Sequence, residues 1–311
     1  MKILVTGGSG LTGMALHQIS KSYPDKDFLF CGRKDCDLTR SDDTSRFIAL
    51  HKPDTIIHLA AVCGGTQLSI NHPGTLLRDN LFMNMNVLEA ARLCNTSKVV
   101  MLLSTGMYPQ NAQMPVCETS IHDGPPHLSN YGYAFAKRLV EPAIRAYRHE
   151  FGMNIIGLVP NGIFGEYANY QEEKSVVVSA LIRRMYEQKD TRDEIVVWGD
   201  GTPLREYTHA SDVARAIMWC LDNYNNENIL NVGSTEEHSV KAIAYMIADI
   251  LGIDRKRITF DSTKPSGVHR RSTDNSRFVS LSGFQYLSLK AGLEQTIEWF
   301  CSNHDREDIR V

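Results

Sequence analysis

Tyr133 and Lys137 stand four residues apart in the stretch Ser129-Asn130-Tyr131-Gly132-Tyr133-Ala134-Phe135-Ala136-Lys137. On a helix that spacing puts both side chains on one face, one turn apart. A phenol beside an ammonium suits a tyrosine that trades a proton at neutral pH, because a free phenol titrates near 10 and a close cation favours the phenolate. Bringing it to about 7 takes roughly 4 kcal/mol at about 1.36 kcal/mol per unit. A close lysine and a bound cationic cofactor together suffice for that. Ser104 ends the apolar run Val99-Val100-Met101-Leu102-Leu103, so its hydroxyl falls at the carboxyl end of a strand, where parallel sheets bind ligands. A Y-x-x-x-K spacing alone recurs by chance, so its meaning depends on what surrounds it.

The elements that must position these groups begin at the first residues. Lys2 to Thr6 is a short apolar β run, followed by Gly7-Gly8-Ser9-Gly10-Leu11-Thr12-Gly13 and a helical pattern from Met14 to Ser20. Gly7, Gly10 and Gly13 between strand and helix permit a tight turn and let backbone N–H groups approach a pyrophosphate. The second strand, Phe28 to Cys31, ends in Gly32-Arg33-Lys34, with no acid before Asp35. An NAD-preferring site places an acid there, on the ribose 2′-hydroxyl. Two cations point instead to the 2′-phosphate of NADP(H). Asp37 and Leu38 are placed to border the adenine. A third strand, Thr55 to His58, runs into Leu59-Ala60-Ala61, small enough at its end for a cofactor to pass close to the backbone. His58 reads as a core histidine. Gly74 to Cys94 is a long helical pattern, the Tyr133/Lys137 helix is expected to run to about Phe151, and Asn154 to Val159 is a fifth strand.

This alternation argues an α/β fold, a Rossmann-type doubly wound parallel sheet. Beyond Pro160 the pattern loosens into a smaller C-terminal α/β lobe. The expected division is a dinucleotide-binding domain over residues 1–160, with return segments from about 205–235 (among them the buried strand Ile229 to Val232), and a substrate-binding lobe over 161–311. That lobe carries Trp198, Arg205, Lys264, Arg270 and Arg271 on candidate loops, where clustered cations would suit a diphosphate. The 311 residues are 42% hydrophobic and 22% charged, with net charge −3, as in a soluble globular protein with no call for nucleic acid or an anionic membrane as partner. Seven scattered cysteines without C-x-x-C spacing fit a reducing cytoplasm and no metal framework. The N-terminus reads as a strand and not a signal peptide.

Taken together, T-G-G-S-G-L-T-G at 6–13, S-T-x-x-Y-P at 104–109 and Y-A-F-A-K at 133–137 resemble the extended short-chain dehydrogenase/reductase superfamily. The segments 121–127, 129–133, 198–206 and 260–265 narrow the resemblance to the GDP-L-fucose synthase family, and the likeness runs to Glu298-Trp299-Phe300. The resemblance implies that Ser104, Tyr133 and Lys137 form a catalytic triad reducing a C4 ketone with NADP(H). Tyr133 would give the proton, Ser104 would hold the oxygen, and Lys137 would hold the nicotinamide ribose and acidify the phenol. Arg205 and Lys264 would meet the GDP-sugar's diphosphate and nucleoside, with Thr105, Gly106, Asn161, Val176 and Trp198 also facing substrate. It further implies a homodimer formed through the helices at 74–94 and 130–151.

The departures are chemically pointed. The family uses a cysteine two residues after the serine, and a histidine in a S-H-V-I-P-like segment, to invert C3 and C5. This chain has Gly106 and Val176 there. Inversion needs a base to take the α-proton and an acid to return one on the opposite face, and neither glycine nor valine can act. The expected reaction is therefore C4-keto reduction of a GDP-4-keto-6-deoxy hexose or heptose without epimerisation. The alternatives are a bifunctional synthase with relocated acids (Lys174, Glu166 or Tyr167), a non-catalytic NADP-binding regulator, or a UDP- or dTDP-sugar epimerase. The segment Pro160-Asn161-Gly162-Ile163-Phe164-Gly165-Glu166-Tyr167-Ala168-Asn169 also differs from the family's P-T-N-x-x-G-P-H-D-N, which leaves the sugar open.

Overall fold

Short apolar strands alternate with helices through the first half of the chain. β1 (Lys2–Thr6) leads into α1 (Leu11–Ser20), and β2 (Asp27–Cys31) into α2 (Ser41–His51). β3 (Thr55–His58) precedes the short α3 (Thr66–Asn71) and the long α4 (Pro73–Leu93). β4 (Lys98–Leu102) is followed by a long loop, then α5 (Tyr131–Arg138), α6 (Val140–Phe151) and β5 (Ile155–Val159). The computed structural model describes every residue except 172–174, 265–267, 307–308 and 310–311, and the side chain of Thr66.

β1 to β5 join β9 (Leu230–Asn231) in one six-stranded sheet, ordered β2-β1-β3-β4-β5-β9 and parallel throughout. The short β9 pairs with β5 inside the run Ile229 to Val232, so the chain does return to the main sheet. Alternate residues of each strand feed opposite faces, as the pleat requires. Leu4, Ile56, Val99 and Ile155 pack on one side with Val87 and Leu88 of α4 and Ile144 of α6. Ile3, Val5, Ile57 and Ile156 pack on the other, against Leu16 of α1. The chain leaves β1 for β2 on one side and returns to β3 on the other. This reversal opens a crevice at the carboxyl ends of β1 and β3, where doubly wound sheets take their ligands.

The second half adds β6 (Gly162–Phe164), α7 (Val177–Glu187), β7 (Ile195–Trp198), β8 (Leu204–His209) and α8 (Ala210–Asn223) before β9. α8 also covers the main sheet, through Val213 and Ile217. After β9 come β10 (Glu237–Ser239), α9 (Val240–Leu251), β11 (Ile258–Asp261), β12 (Arg270–Arg271), α10 (Ser276–Ser282) and α11 (Leu289–Asn303). β8 is central to a small sheet, flanked by antiparallel β10 and parallel β12, with β6 also pairing to it. β7 and β11 form a separate parallel ribbon. Phe164, Ile182, Ile243, Ile247, Leu293 and Phe300 centre a third core cluster around these elements.

The single helix expected from Asn130 to about Phe151 is two helices that break at Leu139. Pro142 explains the break, since it has no N–H to donate to the Arg138 carbonyl four residues earlier. α5 packs against α4. It approaches so closely that a Cβ on Gly132 would lie 2.0 Å from the Pro73 carbonyl oxygen. No side chain fits there, and the residue after this contact is Tyr133. Gly132→Ala should therefore lower stability by about 3 kcal/mol through overpacking against backbone. For a chain of this size that is a fall of roughly 5 °C in Tm by calorimetry. An unchanged Tm would refute the tight crossing.

Candidate active site

Burial dominates the electrostatics of the site. Lys137 is 2% exposed, and its Nζ donates to the Leu102 carbonyl at the end of β4 (2.7 Å). Loss of hydration brings its pKa down to about 8. Tyr133, one turn earlier on α5, has its phenol pushed above the ordinary range, chiefly by burial and then by the Cys63 thiol. A hydrogen bond with Ser104 works in the opposite direction. The expected acidifying pull of Lys137 is outweighed here by burial. The ammonium is turned to β4, and burial governs Tyr133, which keeps its proton at neutral pH. Ser104 caps a 3-10 turn (Thr105–Met107), its Oγ accepting from the Gly106 N–H (3.2 Å). Arg138 latches that turn to α5, with Nε donating to the Met107 carbonyl (2.8 Å) and Nη1 to the Gly124 carbonyl (2.7 Å).

Beneath the helix, His58 has its pKa lowered to about 3, by burial first and then by the Lys137 charge. Its neutral ring accepts from Thr6 Oγ1 (2.7 Å) and donates to Asn84 Oδ1 (3.1 Å), and Asn84 Nδ2 donates to the Ala136 carbonyl (3.3 Å). It is a satisfied core histidine, linking β1, β3 and α4 to α5.

The residues at the β1–β3 crevice fit a dinucleotide. Gly7 has φ +71°, and a Cβ there would meet Ala60 N at 2.7 Å, while one on Gly13 would meet the Gly7 carbonyl oxygen at 2.4 Å. The turn is closed against Leu59 and Ala60, with Ala61 next along the chain. Gly10 gives α1 no side-chain cap, so the first N–H groups of the helix are left for an anion. At the end of β2, Asp35 is drawn inward to accept from Gly32 N–H (2.7 Å). Arg33 and Lys34 are exposed and form no ion pair with described residues. Both line a groove of about 360 Å³ with Asp37, Arg46 and Phe47. Asp37 itself accepts from Thr39 N–H and Oγ1, and Leu38 is buried.

On the substrate side, the structure unites some expected residues and separates others. A Cβ on Gly106 would lie 2.7 Å from Asn130 Nδ2, 3.4 Å from Ser104 Oγ and 3.9 Å from Arg271 Nη1. The space left by the missing cysteine is thus bordered by an amide and a guanidinium. Arg271 lies opposite Arg205 across the β8–β12 pairing. Burial and the Arg205 charge press its pKa down. Thr105 is partly exposed beside Gly106. Trp198, 56% exposed on β7, lies under the Lys264 ammonium (5.8 Å to the ring centroid). Val176 stands 41% exposed just before α7. Asn161, expected to face substrate, has its polar atoms engaged inside the protein: Nδ2 donates to Glu206 Oε2 (3.1 Å) and the Ser234 carbonyl (2.6 Å), and Oδ1 accepts from Thr208 Oγ1 (2.5 Å). Of the replacement acids, Glu166 pairs with His209 (3.5 Å). Tyr167 meets Gln18 (3.3 Å) and Trp299 (ring centroids 4.9 Å apart). Lys174 lies outside the described residues.

Asn130 and Arg138 escaped the sequence reading. Asn130 is one turn ahead of Tyr133, a legible spacing once the helix start is known. Arg138 bonds only backbone carbonyls, which leave no trace in sequence.

The Lys137 value carries a sign. Below about 8 the ammonium is present, and it is lost as pH rises through that value. A charge-assisted hydrogen bond contributes about 1.5–3 kcal/mol. NADPH affinity should therefore weaken by roughly tenfold between about pH 7 and 9.5, and bound NADPH should hold the proton to higher pH. In Lys137→Met the affinity should be low and flat across that range. Fluorescence titration of NADPH measures both, and a flat wild-type curve would contradict the assignment.

The NAD dependent epimerase/dehydratase family matches residues 3–233. A probable GDP-L-fucose synthase of Drosophila melanogaster is 34% identical, over 98% of each chain. The NADP-bound crystal structure of a GDP-L-fucose synthetase from Naegleria fowleri superposes with TM-score 0.92 at 30% identity, over 100% of this chain and 96% of that one. A GDP-6-OMe-4-keto-L-xylo-heptose reductase from Campylobacter jejuni shares the fold (TM-score 0.89, 24% identity, 97% of each chain). With a glycine turn, an uncapped helix and a cationic strand end suited to the 2′-phosphate, the chain belongs to the NAD dependent epimerase/dehydratase family, in its GDP-L-fucose synthase branch, as an NADP(H)-dependent oxidoreductase.

Proposed function

We propose that the protein reduces the C4 ketone of a GDP-4-keto-6-deoxy sugar, hexose or heptose, and leaves C3 and C5 uninverted. The observation that carries this reading is the convergence of Ser104, Tyr133 and Lys137 beside Gly106, where an amide and a guanidinium border the space of the acid–base thiol. NADP(H), when bound, supplies the hydride. The protonated phenol of Tyr133 gives its proton to the C4 oxygen as negative charge develops there, and the Ser104 hydroxyl donates to the same atom. Lys137 holds the nicotinamide ribose, and its positive charge favours the phenolate left after transfer. Arg205 and Lys264 are assigned to the diphosphate and nucleoside, and residues 161–311 to the substrate-binding lobe. None of Gly106, Asn130, Arg271 or Val176 can take an α-proton at neutral pH, which supports reduction without inversion.

Apolar residues exposed on neighbouring helices, Phe82 and Met85 of α4 with Leu139 and Phe151 at α6, favour a homodimer through this face. A solution mass of one chain by light scattering would exclude it. No described helix is long and apolar enough to cross a membrane. A reducing cytoplasm suits seven free cysteines, and cell fractionation checks that placement.

The decisive measurement is NADPH oxidation with a panel of GDP-4-keto sugars, followed by product NMR after reaction in D₂O. Turnover with no deuterium at C3 or C5 is expected. Deuterium at either carbon would favour the bifunctional alternative. Tyr133→Phe should lower kcat by at least about a hundredfold, and a wild-type rate in that variant would remove Tyr133 from the chemistry.

A further inference from the structure

We infer that Asn130 and Arg271 form a specificity pair that reads the hydroxyl on the carbon next to the ketone, C3 of the sugar. The inference rests on the reductase reading of the site. Both side chains border one spot, 2.7 and 3.9 Å from where a Cβ of residue 106 would stand, and Ser104 Oγ is 3.4 Å from the same point. If Ser104 marks the C4 oxygen, substituents one ring bond away (about 1.5 Å) fall in that neighbourhood. C5 carries a carbon substituent, whereas C3 carries an oxygen, and an amide and a guanidinium select the oxygen.

The two groups are built to wait for such a partner. Neither side chain makes a hydrogen bond or ion pair with a described residue, and Arg271 is half-buried beside a second guanidinium. Half-buried polar groups with no protein partner are free to donate to a ligand that supplies acceptors. The backbone fixes Arg271 from both flanks. β12 pairs with β8 on one side, and just beyond it the Ser272 carbonyl accepts from Val116 N–H (2.9 Å). Thr273, next along, donates through N and Oγ1 to the buried Glu206 Oε2 (3.0 and 2.9 Å). Asn130 is set by the start of α5. Arg205, by contrast, already donates to the Leu204 carbonyl (2.7 Å). An always-protonated guanidinium donates and never acts as base, so the spot that inverts carbon in the family's thiol-bearing members here only grips an oxygen.

The test compares binding of GDP, GDP-mannose and GDP-3-deoxymannose by calorimetry in the presence of NADP, for wild type, Arg271→Met and Asn130→Ala. The wild type should prefer GDP-mannose over the 3-deoxy probe by at least about tenfold. Each variant should bring that preference to within about twofold, with GDP and NADPH affinities unchanged. Normal NADPH affinity shows that the variant is folded. If Arg271→Met weakens GDP as much as GDP-mannose, Arg271 is a diphosphate ligand and the inference is overturned. Retained discrimination in both variants, or none in the wild type, overturns it as well. The reductase reading fails separately, if wild type turns over no GDP-4-keto sugar.

Discussion

An ammonium taken out of water, with one protein carbonyl in contact, is the placement around which the site is arranged. Lys137 sits at the carboxyl edge of β4, its Nζ on the Leu102 oxygen, in surroundings that favour the neutral amine. A charge held so poorly by the protein is held better by whatever brings electron-rich oxygens to it. The same burial keeps Tyr133 protonated. The pair is thus poised in the direction a reduction requires: an acid with its proton in place, and a cation able to stabilise what remains once that proton has gone.

This arrangement needs the catalytic helix to be pressed into the fold, and small or polarless residues make that possible. Gly132 lets α5 touch the Pro73 carbonyl. Pro142 interrupts the hydrogen-bond ladder between α5 and α6. Arg138 then fastens the Ser104 turn to α5 through the Met107 carbonyl, and the loop after it through the Gly124 carbonyl. The serine and the tyrosine come from elements separated by a long loop, yet their relative position is set within one rigid patch. The second half of the chain contributes from above, through β8 and β12, which carry Arg205 and Arg271 side by side.

Much of this was legible from residues alone. The glycine turn, the cationic end of β2 and the Tyr133/Lys137 spacing are local patterns whose geometry follows from a strand-turn-helix or one helical turn. What lay beyond reach depends on partners distant in sequence. The family resemblance places Asn161 facing substrate, but Glu206, Ser234 and Thr208 claim its polar atoms. Arg271 read as one of several loop cations, and only the pairing of β12 with β8 and of the 270s segment with Val116 brings it to Gly106. The phenol's acidity depends on distant partners in the same way. Spacing reveals that a lysine is near, but not how little water is.

The Thr6–His58–Asn84–Ala136 chain has a bearing on any rate measurement. Its imidazole gains a proton only near pH 3, far below the range in which an enzyme is assayed. The link between sheet and catalytic helix is therefore electrically silent across that range, and acidification does not loosen it. Histidine ionisation, the usual suspect when a rate falls between pH 6 and 7, has no representative in this link, so an inflection there would report on other groups, the buried Glu206 carboxyl raised to about 6 among them.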